Sequence, residues 1–302
     1  MSEEDATVEV AGVRIPGRIA SPVGAPKASV LMLPGSLFSD VDGDFPTWNV
    51  RPHVYRDLAQ HFAALGIATM RQAKIGPGTG SETLDATAAV AHRRFAERVV
   101  VARAALRRLR SAAPAAPLFV AGHSEGALVA SLLCADQNDG VEGLISLSGP
   151  ALRILDIMRV QTAAMAPGGD MSVFDQAIAD IRAARPLTDA ARSNPMLAGL
   201  ASMPPQALDY IRDVDAVDPC AAIARAPLRT LLVQGGRDQS VTPEQVDQLA
   251  AARAGLPTET VRFPELQHFY KRADPGLDAM ASFALSTESD PSVAAAIADW
   301  IG

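Results

Sequence analysis

Cysteine is scarce in this 302-residue chain, which has only Cys134 and Cys220. They show no C-x-x-C spacing and have no histidine cluster beside them, which argues against a metal site and leaves them as reduced thiols used as small apolar residues. Basic charge is also short: 27 lysines and arginines against 34 acidic residues give a formal charge of −7. Nucleic acid is therefore excluded as a partner, because phosphate binding wants a basic face, and nothing draws the chain to an anionic membrane. Long apolar runs are missing too. No stretch approaches the roughly 18 residues of a membrane span, and Val99-Val100-Val101 is short and sits among arginines. Met1 to Val10 is acidic and lacks the basic and apolar regions of a secretory signal. These absences predict a soluble, cytoplasmic protein with no membrane insertion.

What is present is ordinary globular composition, 48% hydrophobic and 20% charged, enough for a large core in one α/β domain or two smaller ones. Val8–Val10 and Val13–Ile19 flank Ala11-Gly12 as a hairpin would. Ser29–Leu33 is a short apolar run stopping at Pro34-Gly35, the signature of a buried parallel strand. Leu58, Phe62 and Leu65 have helical spacing ahead of Gly66, and Ile67–Met70 reads as the next strand. A long helix is expected from about Asp85 to Arg110, with Arg103, Arg107, Arg108 and Arg110 on its solvated face. Leu118–Ala121 reads as a strand, Ala127–Ala135 as a helix and Gly143–Leu147 as a strand. This alternation implies right-handed crossovers and a mostly parallel sheet. The pattern then changes. From about Pro150 to Asp213 only helical fragments occur, broken by Pro167, Pro186, Pro195 and Pro204-Pro205. The sheet resumes at Leu228–Gln234. A helix over 242–254, a strand over 259–263 and a helix over 291–301 follow. The expected organisation is a core of residues 1–149 and 214–302 carrying a helical insertion of residues 150–213.

Gly122-His123-Ser124-Glu125-Gly126 matches G-x-S-x-G between a strand and a helix. A serine on so sharp a turn sits in a strained backbone conformation, and side chains two positions either side would collide, hence the glycines. The turn lifts the Ser124 hydroxyl above the sheet at a helix N-terminus, where the Glu125 N–H can meet a developing oxyanion. The competing reading is a structural turn. Ser124 needs a base, and there are five histidines. His123 is adjacent and must point elsewhere, beneath the site. His61 and His92 fall on expected helices, and His53 precedes one. His268 follows the last expected strand, at the reactive edge of a parallel sheet, and is the candidate base. Asp238 follows the strand ending near Gln234 and satisfies the chain order nucleophile, acid, base. Asp215 and Asp218 are rivals that precede that strand, and a turn or N-cap role is the alternative for Asp238. The second oxyanion donor is expected from Pro34-Gly35-Ser36-Leu37, with the Ser36 N–H ahead of Leu37. This chemistry calls for no metal and no cofactor.

These residues resemble the α/β-hydrolase superfamily and, more narrowly, bacterial carboxylesterases of the serine aminopeptidase-like, S33-type group. The resemblance runs through Leu33–Ser36, Asp40–Asp44, Tyr55–Ala59, Leu65–Ala68, the Gly122–Gly126 elbow, Val217–Pro219, Gln234–Asp238 and His268. It departs at Arg71–Gly76, where relatives carry an Arg-Tyr-Asp-Lys-Arg-Gly-like segment, and at Val41, where arginine is common. It implies an α/β-hydrolase fold and hydrolysis of small-molecule carboxylic esters, commonly of short acyl chains, beneath a helical cap. The insertion would supply substrate-binding residues, with Leu37, Met158, Met165, Phe174 and Met203 as candidates. A thioesterase, peptidase or biosynthetic tailoring enzyme would use the same triad, and a non-catalytic binding protein could keep the scaffold. An elbow serine argues against epoxide and haloalkane hydrolases, which use aspartate there.

Overall fold

The computed structural model describes residues 1–136 and 139–302. An eight-stranded sheet forms the centre. In chain order its strands are β1 (Ser2–Asp5), β4 (Gly17–Ser21), β5 (Ala28–Leu33), β6 (Ile67–Gln72), β8 (Leu118–His123), β9 (Gly143–Leu147), β10 (Arg229–Gly235) and β11 (Thr258–Phe263). Their spatial order is β1-β4-β6-β5-β8-β9-β10-β11. The strands from β6 to β11 pair in parallel, while β4 pairs antiparallel with β6 and with β1. A small antiparallel sheet joins β2 (Val8–Val10), β3 (Val13–Ile15) and β7 (Glu82–Thr83).

The central strands β5, β8 and β9 are buried along their whole length, which is why they read as unbroken apolar runs. Their residues alternate between two cores. Leu31, Leu33 and Val120 face one, covered by α2 (Glu97–Ala112), α3 (Glu125–Cys134), α9 (Pro219–Ala224) and α10 (Gln245–Ala252). Val30, Met32 and Ala121 face the other, covered by α1 (Val54–Ala64) and α12 (Pro291–Ile301). Between β9 and β10 lie α4 (Ile154–Met165), α5 (Ser172–Arg182), α6 (Asp189–Ser193), α7 (Ala198–Ala201) and α8 (Pro205–Asp215). They close around a third core of their own, including Leu155, Phe174, Ile178, Ile181 and Leu200. The short α11 (Ala279–Phe283) precedes α12. No helix among the described residues is long and apolar enough to cross a membrane.

Two expectations need correction. The helix expected from Asp85 to Arg110 is two pieces, a 3₁₀ turn over Ala88–Arg93 and then α2. Arg94 between them is extended (φ −100°, ψ 139°), and Phe95 is buried in the core, so packing overrides the helix propensity of the run. Its arginines are partly paired: Arg103 Nε donates to Asp139 (2.8 Å) and Arg108 Nη2 to Glu4 (3.1 Å). The run Val13–Ile19 divides at Pro16 into β3 and β4, which enter different sheets. The acidic N-terminus forms an exposed edge strand, β1, because its pairing needs only the backbone of β4.

Chain order shows where the site must lie. After β5 the chain moves outward to β6, then returns to place β8 on the other side of β5. The loops leaving the C-terminal ends of β5 and β8 therefore diverge and leave a crevice between them, the place where open parallel sheets bind ligands.

Candidate active site

Two loops at that switch point carry the first candidates. β8 runs directly into α3 through Ser124, whose backbone has φ 53° and ψ −126°. A Cβ on Gly122 would lie 2.1 Å from Gly126 O, and one on Gly126 would lie 2.3 Å from Leu33 O. Glycine at both positions is what lets the strand, turn and helix fold this tightly against β5. Ser124 is half-buried, and its hydroxyl has no hydrogen-bond partner among the described residues. Links to a nucleophile are often open in an unliganded site. The loop after β5 passes beside it, since a Cβ on Gly35 would sit 3.1 Å from that of Ser124.

Asp238 lies just beyond β10 and His268 just beyond β11, at the same edge of the sheet. His268 Nδ1 and Asp238 Oδ2 are 2.8 Å apart, with both residues buried. Asp238 Oδ1 accepts the N–H groups of Ser240 (2.8 Å) and Val241 (2.9 Å), and Oδ2 also accepts Gln234 Nε2 (3.3 Å). Burial alone would raise the Asp238 pKa. The neighbouring His268, its hydrogen bond and the bond from Val241 N–H overcome it and hold the carboxyl below its usual range. An ionised carboxylate only accepts, so Nδ1 carries a proton, and the neutral tautomer this favours has its lone pair on Nε2. The rivals have other work. Asp215 accepts Leu155 N–H (3.0 Å) and Arg182 Nε (2.7 Å), joining α4, α5 and α8, and Asp218 caps α9 through Ala221 N–H (3.0 Å).

His123 lies beneath the elbow and ties the site's loops together. Its Nε2 is 2.9 Å from the His268 carbonyl, and its Nδ1 is 3.2 Å from the Tyr55 hydroxyl. Burial, reinforced by His268, pulls His123 down to about 3, so the ring is neutral. A carbonyl only accepts, so Nε2 carries the proton and Nδ1 accepts the Tyr55 O–H. The Tyr55 oxygen in turn accepts the Gly35 N–H at 2.9 Å. The other histidines lie elsewhere: His53 against Asp44, His61 against Glu288 and His92 against the Val10 carbonyl.

On the opposite side of the elbow, the Glu125 carboxylate is buried among Lys74, Arg98, Ser36 and Tyr210. Burial alone would raise the Glu125 pKa. The charges of Lys74 and Arg98, with hydrogen bonds from Lys74 and Ser36, bring it instead to about 2. Burial pulls Lys74 down to about 8, which leaves it mostly protonated at neutral pH. Sequence reasoning missed Lys74, Arg98, Tyr55 and Tyr210. The local hints were the Tyr55–Ala59 run of the resemblance and the unusual Arg71–Gly76 segment that contains Lys74.

The expected pocket residues scatter. Phe174 is 1% exposed inside the core of the inserted helices, with Met158 and Met203 packed against that core, and Met165 is 71% exposed at the end of α4. Leu37 is partly exposed with φ 67°, directly after Ser36. A cavity of about 400 Å³ opens beside the acid loop, lined by Gly236 to Gln239 and Ala273 to Leu277. No group of three or more metal-binding side chains occurs among the described residues.

Comparison with known proteins bears on the family and the fold. No curated protein matches the chain by sequence. Among solved structures, it is similar to Est1E from Butyrivibrio proteoclasticus, at 14% identity over 98% of this chain and 97% of that one, with a TM-score of 0.57. It is also similar to a highly thermostable carboxyl esterase from Bacillus coagulans, at 15% identity over 100% and 98%, TM-score 0.60. A third is an alpha-beta serine hydrolase homologue from Coxiella burnetii, at 17% over 100% and 99%, TM-score 0.54. At such identities these structures establish the α/β-hydrolase fold. The family profile described as serine aminopeptidase, S33, matches residues 52–270, well over half of the chain. With its elbow, sheet and loops arranged as described, the chain belongs to the serine aminopeptidase S33 family of α/β serine hydrolases.

Proposed function

We propose that this protein cleaves small-molecule carboxylic esters of short to medium acyl chain through Ser124, His268 and Asp238. The observation that carries the proposal is the buried 2.8 Å contact between Asp238 and His268 beside a serine at φ 53°. That contact favours the His268 tautomer whose Nε2 can act as a base, at the edge of the sheet where Ser124 is raised.

In this mechanism Ser124 Oγ attacks the ester carbonyl and His268 Nε2 takes its proton, with Asp238 holding the tautomer and stabilising the imidazolium. The oxyanion is met by the N–H of Ser36 and the N–H of Glu125. Ser36 N–H has no partner among the described residues, and Glu125 N–H is the first of α3, where no intrahelical acceptor exists. His268 then protonates the leaving alkoxide, and water, deprotonated by the same histidine, releases the acid. The helices of residues 150–213 act as a cap over the acyl side, with Leu37 at the mouth.

The test is labelling with a fluorophosphonate, followed by turnover of p-nitrophenyl esters of increasing chain length. An activated Ser124 labels, and Ser124→Ala abolishes labelling and lowers turnover by roughly 10³-fold or more. A parent protein that neither labels nor hydrolyses any ester overturns the proposal. Matching thioester and amide substrates separate it from thioesterase and peptidase activity.

A further inference from the structure

Glu125 contributes a backbone N–H beside Ser124, yet its side chain turns inward to the loop that carries the other candidate oxyanion donor. That loop is held at nearly every polar atom. Arg98 Nη2 donates to Pro34 O (2.9 Å), Lys74 Nζ to Gly35 O (3.1 Å), Gly35 N–H to Tyr55 Oη (2.9 Å) and Ser36 Oγ to Glu125 Oε2 (3.2 Å). Lys74 Nζ and Arg98 Nη1 also donate to Glu125 Oε1, at 3.1 and 2.5 Å. One carboxylate thus gathers two cations and the hydroxyls of Ser36 and Tyr210, and both cations reach past it to carbonyls of the same loop. Among the described residues, Ser36 N–H has no partner, and neither has the Ser36 carbonyl. Burying a carboxylate, an ammonium and a guanidinium together is costly unless geometry and hydrogen bonding are good. Packing alone would be served as well by apolar side chains. What this cluster adds is orientation, because charged hydrogen bonds are short and directional.

We propose that the Glu125 carboxylate, clamped by Lys74 and Arg98, is a positioning hub that holds the Pro34–Ser36 loop against the elbow, so that the N–H groups of Ser36 and Glu125 converge on one point. Lys74, Arg98 and the Ser36 hydroxyl act through the loop and touch no substrate. The catalytic consequence rests on the esterase reading above, whereas the clamping of the loop does not. Oxyanion donors act on charge that develops in the transition state, so loosening them lowers kcat and spares KM.

The experiment uses the full chain and four variants: Lys74→Met, Glu125→Gln, Ser36→Ala and Ser36→Thr. Thermal melts establish which of them fold. Ser36→Ala removes one half-buried hydroxyl and leaves the backbone donor intact, so it remains informative if the charge variants do not fold. Two quantities are read, steady-state kinetics on p-nitrophenyl butyrate and amide hydrogen exchange of the peptide spanning residues 33–38. Lys74→Met and Glu125→Gln should lower kcat by roughly 10- to 100-fold, less than deletion of an oxyanion donor, with KM within about threefold. Ser36→Ala should lower kcat several-fold, and Ser36→Thr, which keeps the hydroxyl, should restore it. Exchange in the 33–38 peptide should accelerate in every variant lacking a clamp. Unchanged exchange in a folded Lys74→Met or Ser36→Ala variant overturns the proposal, as does a loss that falls on KM. If the parent hydrolyses no ester but exchange responds as described, the clamp stands and the esterase reading fails.

Discussion

His123 Nε2 donates to the backbone carbonyl of His268 at 2.9 Å, so the residue before the elbow serine holds the loop of the candidate base. Through Nδ1 and the Tyr55 hydroxyl, the same ring also reaches Gly35. Base loop and oxyanion loop are therefore joined beneath the serine by one neutral imidazole.

This join predicts how Tyr55→Phe behaves. The change strands Gly35 N–H and His123 Nδ1 in a buried site, a cost of about 1–3 kcal/mol in stability. It should also lower kcat about tenfold as the loop loses register, well short of the loss on removing a triad member. Denaturant melts and ester kinetics check both figures. A variant as stable and active as the parent means that the relay has no role.

Acid should destabilise the fold through His123. The folded ring releases its proton near 3, against about 6.5 for an unfolded histidine. Between these values the unfolded chain binds more protons, so stability falls as pH drops through the window, by a few kcal/mol in all. Glu125, at about 2 in the fold, adds its own loss only below about 4.5. Melting temperatures of parent and His123→Gln between pH 7 and 4.5 isolate the histidine. The variant should show the shallower slope, and identical slopes would refute a neutral buried ring.

Asp238→Asn should reduce ester turnover by roughly 10²- to 10⁴-fold by favouring the wrong tautomer of His268. Asp215→Asn is the control: it should lower the melting temperature, because Asp215 joins the inserted helices, and keep most of the activity of the folded fraction. A severe kinetic loss in Asp215→Asn with a mild one in Asp238→Asn would reverse the assignment.

Phe174 and Met165 should separate packing from exposure in the inserted helices. Phe174→Ala opens a hole in their core and should cost about 3–5 kcal/mol. Met165→Ala, at a position 71% exposed, should change stability by less than about 0.5 kcal/mol. Chemical denaturation of both variants decides it.

The α/β-hydrolase fold was legible in the sequence because its signals are local. Buried parallel strands read as continuous apolar runs, as in Ala28–Leu33 and Leu118–His123, and the elbow is five consecutive residues whose glycines answer a steric clash. Asp238 and His268 were legible as candidates because each follows a recognisable strand. Local signals failed where packing decides. Phe95 turns into the core and breaks a helix that propensity favours, and Phe174, a candidate pocket residue, is sealed inside the inserted helices.

The Glu125 hub and the Tyr55–His123 relay were decided by tertiary structure alone. Ser36 reaches Glu125 across 89 positions of chain, Lys74 across 51 and Tyr210 across 85. A buried charge has meaning only through the groups folded around it, and no periodicity or spacing records which distant ones those are. The sequence by itself determined which residues stand at the ends of the strands. Only the folding of β5, β6 and β8 about one switch point determined that a glutamate, a lysine and an arginine would meet beside the elbow.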